Sequence, residues 1–167
     1  MTMERDGMKN TLDLDPSWEF VADTVMGGVS QGAITTGPVH GRTATRLTGR
    51  VSLDNNGGFV QMATDLNPDG TVRDASHWRG LELDLCGNGE TYELRLRTDH
   101  LTRPWQSYRA GFSAAPDWAT LRFPFADFTP HRTDTPFDPA RLHRVGVIAI
   151  GRAFTADIAV SALRLYR

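Results

Sequence analysis

Short runs in which apolar and polar residues alternate recur along this chain. Leu81, Leu83 and Leu85 alternate with Glu82, Asp84 and Cys86, and Tyr92, Leu94 and Leu96 alternate with Glu93, Arg95 and Arg97. Val145, Val147 and Ala149 alternate with Gly146, Ile148 and Ile150, and the last run, 158–166, ends in the same way. Alternation with a period of two marks a strand with one face buried. Further strands are expected at 19–22, 43–53, 59–63, 106–112 and 120–123. Residues 148–151 are apolar on both faces, which predicts a central strand. A single helical turn is predicted, capped by Asp138 with Pro139 at its first position. Asn56-Gly57 and the segment Cys86-Gly87-Asn88-Gly89-Glu90 predict hairpin turns. Many short strands, turns rich in glycine and proline and almost no helix predict an all-β sandwich or barrel. Residues 1–15 read as a flexible N-terminal tail and 16–167 as one domain.

Composition narrows the picture. The 167 residues are 40% hydrophobic and 23% charged, which suits a single folded domain. The net charge of −2 gives no global reason to expect nucleic acid as a partner. Lys9 is the sole lysine, so cationic sites here are built from arginine, a planar bidentate donor. With one cysteine, Cys86, neither an internal disulfide nor a cysteine metal site is available. The N-terminus lacks the apolar core of a secretory signal, and no run approaches the ~18 apolar residues of a membrane span. A cytoplasmic location is expected. His40, His77, His100, His131 and His143 show no ligand spacing, and there is no phosphate loop, so neither metal nor cofactor is expected.

No catalytic constellation stands out. Gly28-Val29-Ser30-Gln31-Gly32 matches the letters of a nucleophile elbow, but that motif needs a strand–turn–helix, and the residues that follow are β-branched and then break. A turn rich in glycine is the better reading. Glu82 and Asp84 share one strand face, Arg95 and Arg97 the polar face of the next run. A hairpin through Asn88-Gly89 would pair them across strands, as a solvated outer face or as a charged groove. Trp105, Tyr108 and Arg109 would extend that groove, with Trp105 as the exposed aromatic able to stack on a sugar ring.

Two glycine-punctuated segments carry more information. The stretch from Trp18 through Asp23-Thr24-Val25-Met26-Gly27-Gly28-Val29-Ser30 resembles the opening signature of the complex I intermediate-associated protein 30 family. Gly49-Arg50-Val51-Ser52-Leu53-Asp54-Asn55-Asn56-Gly57-Gly58-Phe59 is similar to its second block. Trp78-Arg79-Gly80-Leu81 with 87–97, and Tyr108-Arg109-Ala110-Gly111-Phe112 with 118–128, resemble later blocks; 130–136 fits least. The resemblance implies a jelly-roll β-sandwich of the galactose-binding type. It also implies a non-enzymatic assembly factor or chaperone for NADH:ubiquinone oxidoreductase (complex I), partnered by its subunits or assembly intermediates. Asp23, Met26, Gly27, Gly28, Ser30, Asn55, Asn56, Gly57, Gly58 and Phe59 would then form one binding patch. The four glycines would supply backbone conformations closed to other residues. The alternative is a carbohydrate-binding module whose concave face carries Glu82, Asp84, Arg95, Arg97, Trp105, Tyr108 and Arg109.

Overall fold

The computed structural model describes residues 10–167. Its strands, in chain order, are β1 Thr11–Asp13, β2 Glu19–Ala22, β3 Gln31–Val39, β4 Arg42–Val51, β5 Phe59–Asp65 and β6 Gly80–Gly87. They continue as β7 Thr91–Thr98, β8 Ser107–Ser113, β9 Ala119–Pro124, β10 Thr129–His131, β11 Leu142–Ile150 and β12 Phe154–Tyr166. Two antiparallel sheets pack as a jelly-roll β-sandwich. The first runs β3-β4-β12-β6-β9, with β1 against the end of β12; the second runs β10-β8-β7-β11-β5-β2.

Alternation explains the core. Leu47, Leu81, Leu83, Leu85 and Ile158 from the first sheet meet Val60, Met62, Leu94, Leu96, Val145 and Val147 from the second in one buried cluster. Each such side chain contributes about 1.5–3 kcal/mol of transfer free energy. The apolar phase of β12 changes from Ile158 and Val160 to Leu163 and Leu165. The register against β6 shifts between Val160 and Ala162, so a bulge at Ser161 keeps both halves facing inward. The doubly apolar strand β11 lies centrally between β7 and β5, and even its outward Ile148 is only 4% exposed. Asp138 accepts from the Ala140 N–H at 3.0 Å and caps the short turn Pro139–Arg141.

Several expectations are corrected. The sharp turn at Asn88-Gly89 joins no hairpin: β6 pairs with β12 and β9, and β7 with β8 and β11, in the other sheet. Asn56-Gly57 likewise lies in a crossover from β4 in the first sheet to β5 in the second. A short 3-10 turn, Asp54–Asn56, sits there, with Asn55 and Asn56 at φ 57° and 58°. Strand β3 was not anticipated; Gly32, Gly37 and Pro38 interrupt its pattern, and its edge position tolerates them. Of the expected tail, residues 1–9 lie outside the described residues, while Thr11–Asp13 pair with β12.

Candidate functional site

Two crossovers between the sheets, β2 to β3 and β4 to β5, meet around one carboxylate. Asp23 is fully buried. Its Oδ1 accepts the Ser30 N–H at 3.0 Å; its Oδ2 accepts the Ser30 hydroxyl at 2.5 Å, the Gly58 N–H at 2.6 Å and the Phe59 N–H at 3.2 Å. Ser30 Oγ in turn accepts the Ser52 N–H at 2.9 Å. Asn55 Nδ2 donates to the Gly27 carbonyl at 3.3 Å. Burial pushes the Asp23 pKa up, but the Ser30 hydroxyl and the N–H groups of Gly58, Phe59 and Ser30 together outweigh it and hold the carboxyl below its ordinary value. An ionised carboxylate is thus buried because its lone pairs are met.

The glycines serve this knot in two ways. Gly27 and Gly58 have φ of 88° and 146°, where other residues are strained. Gly28 and Gly57 do not. There a Cβ would lie 2.5 Å from Asp23 Cγ and 2.5 Å from Asp23 Oδ2 respectively, so the carboxylate itself excludes a side chain.

The expected patch is therefore brought together, but its members divide. Asp23, Ser30, Gly28 and Gly58 are buried and structural in character. Met26 is 61% exposed, and three residues that sequence reasoning passed over join it: Val25 at 73%, Val29 at 44% and Leu53 at 51%. Four of the six large apolar side chains exposed among the described residues thus crowd onto these two loops. The available signal was a set of apolar residues inside glycine-rich turns, where solvated polar residues are usual. Ser30 has no histidine among its partners; its hydroxyl is spent on Asp23 and Ser52.

The alternative set is not one groove. Glu82 and Asp84 project from the outer face of the first sheet, where Arg164 bonds both at 2.6 Å and Arg122 bonds Glu82 at 2.8 Å. Burial raises the pKa of each carboxyl, but these arginines, with Thr120 at Asp84, bring both below their ordinary values. Arg95, Arg97 and Arg109 stand on the opposite outer face of the sandwich. Arg95 pairs with Glu93 at 2.7 Å, and Arg97 donates to the carbonyls of Arg103, Pro104 and Gln106. Tyr108 has the other parity and is fully buried, with its ring against Phe137 and its hydroxyl donating to Thr135 O at 2.8 Å. Trp105 is exposed, in the loop beside Arg97. An open cleft of about 420 Å³ lies elsewhere, between β8 and β9, lined by Phe112, Leu121, Arg122 and Phe123 among others. Among the described residues, no three His, Cys, Asp or Glu side chains gather as metal ligands, and no helix is long and apolar enough to cross a membrane.

The model of one sequence family, Complex I intermediate-associated protein 30 (CIA30), matches residues 8–159. The chain belongs to that family. Both loops of the Asp23 knot lie inside the matched region. No curated protein matches the chain. Solved structures similar in fold include the family 11 carbohydrate-binding module of a cellulosomal cellulase from Clostridium thermocellum. It has a TM-score of 0.71 and 12% identity, over 97% of this chain and 92% of that one. The same module in complex with a β-1,3-1,4-mixed-linked tetrasaccharide gives a TM-score of 0.63 and 14% identity, over 99% and 94%. A family 30 module from a cellulosomal cellulase of that organism gives 0.66 and 16%, over 92% and 94%. At these identities the likeness is one of fold.

Proposed function

We propose that this chain is a non-enzymatic interaction factor in the assembly of a larger complex, with complex I as the assembly that its family's name points to. One observation carries the reading. Two loops, fastened to each other through a buried carboxylate, hold Val25, Met26, Val29 and Leu53 in water. Isolated exposed apolar residues are ordinary; a group of them on a fixed loop pair suits a protein partner. Pre-fastening lowers the ordering cost of binding. The test is affinity isolation of the tagged chain from its host with mild crosslinking. Enrichment of complex I subunits or assembly intermediates, lost when Val25, Met26 and Leu53 are changed to serine, is the expected result. Their reproducible absence counts against it.

A second reading, a carbohydrate-binding module, is supported by exposed Trp105 beside arginine-bearing strands and by the fold shared with modules of which one was solved with a tetrasaccharide. Saturable binding to a soluble glucan, lost in Trp105→Ala, would favour it over the assembly reading.

A further inference from the structure

We propose that the outer face formed by β7, β8 and β10 receives the carboxylates of an extended acidic segment of a partner polypeptide. This goes beyond the assembly reading and uses a different surface. Arg95 on β7 and Arg109 on β8 are directly opposite in the antiparallel register, and like charges so placed repel. Arg95 is relieved by Glu93. Arg109 has no hydrogen bond or ion pair among the described residues. The outward arginines of other strands differ: Arg46 pairs with Asp157, Arg122 with Glu82, Arg144 with Asp65 and Glu19, and Arg164 with Glu82 and Asp84.

The next row of the same face adds His131, opposite Ser107, with Arg132 after it. Arg132 is held at φ 58°, a conformation that glycine or asparagine adopts at less cost. Burial and the charges of Arg109, Arg95 and Arg132, opposed by Glu93, lower the His131 pKa. The face is thus cationic on a chain whose net charge is −2.

The two rows are two residues apart along the strands, about 6–7 Å. Alternate side chains of an extended peptide have the same spacing, so acids at positions i and i+2 would meet the Arg95–Arg109 row and His131 together. Bidentate arginine–carboxylate pairing supplies the recognition. Pro130, at the edge in β10, has no N–H to offer an added strand, so the face rather than the edge is the binding surface.

The experiment is titration of the full chain with a synthetic peptide alternating glutamate and threonine, at low and high salt. Expected are saturable binding that weakens with salt and an upward shift of the His131 titration by NMR in the bound state. Arg109→Ala should bind about tenfold or more weakly, with thermal stability unchanged or raised because the opposed pair is gone. Arg109→Lys should recover part of the affinity. Met26→Ser should leave peptide binding intact, which separates this proposal from the loop-pair reading. Absence of saturable binding, or equal binding by Arg109→Ala, would overturn it. So would tighter binding, through the same arginines, of an oligogalacturonate or a single-stranded oligonucleotide.

Discussion

Replacing Asp23 by asparagine tests the knot with almost no change in volume. The carboxylate accepts four hydrogen bonds, one at Oδ1 and three at Oδ2. With the asparagine carbonyl in the Oδ2 position, its NH₂ group opposes the Ser30 N–H, donor against donor. Flipped, it opposes two backbone donors, the Gly58 and Phe59 N–H groups, and only the Ser30 hydroxyl can turn to accept. The better orientation orphans one buried N–H, at about 1–3 kcal/mol, and makes three charge-assisted bonds neutral, at up to about 1 kcal/mol each. Relief of carboxylate desolvation offsets part of this, leaving a net loss of about 2–3 kcal/mol. For a domain of this length that is a fall of about 5–10 °C in Tm. The pH dependence carries the sign. The folded Asp23 pKa is below its unfolded value of about 3.9, so its contribution is complete above that pH and is lost as pH falls through the folded pKa. Wild type and variant should converge in acid. Thermal unfolding followed by circular dichroism from neutral to acid pH reads both effects. A variant within about 1 °C of wild type at neutral pH, or a gap that widens in acid, would refute the argument.

Gly28→Val should cost about 1–3 kcal/mol or more by overpacking, because its Cβ would be 2.5 Å from Asp23 Cγ; a denaturant midpoint like that of wild type would count against the close approach. Val25→Ser, Met26→Ser and Leu53→Ser together should leave Tm nearly unchanged, each within about 0.5 kcal/mol, while partner capture in the crosslinking assay collapses. Arg164→Met should lose about 3 kcal/mol at neutral pH, since Glu82 keeps only Arg122, while Asp84 keeps Thr120 and Arg42 at 4.0 Å. Glu82 and Asp84 both have folded pKa values below ordinary, so urea unfolding should show that deficit shrinking as pH falls below about 4.

Which residues meet around Asp23 was largely legible, and what each does there was not. Asp23 follows a strand and precedes two glycines, the local description of a solvated turn. Its burial depends on the Gly58 N–H, which arrives 35 residues later from the β4–β5 crossover. Met26 was a candidate, but Val25, Val29 and Leu53 look locally like core residues; only the packed loops show that they face water. The charged faces of β6 and β7 read as a solvated outer face or a charged groove joined through one hairpin, and that hairpin does not exist, since the turn between them crosses the sandwich.

The sequence by itself determined most of the strands, which face of each of these is apolar, and which turn is capped by Asp138. These follow from a period of two and from local turn chemistry, each readable within a few residues. Only the tertiary structure decided which strands are neighbours, that Glu82 and Asp84 answer to Arg164 rather than to Arg95 and Arg97, and that Asp23 is the fastening of two crossovers. Alternation states that a face is buried without saying against what. Pairing and burial arise from contacts between distant segments, which exist only once both sheets have closed over one core.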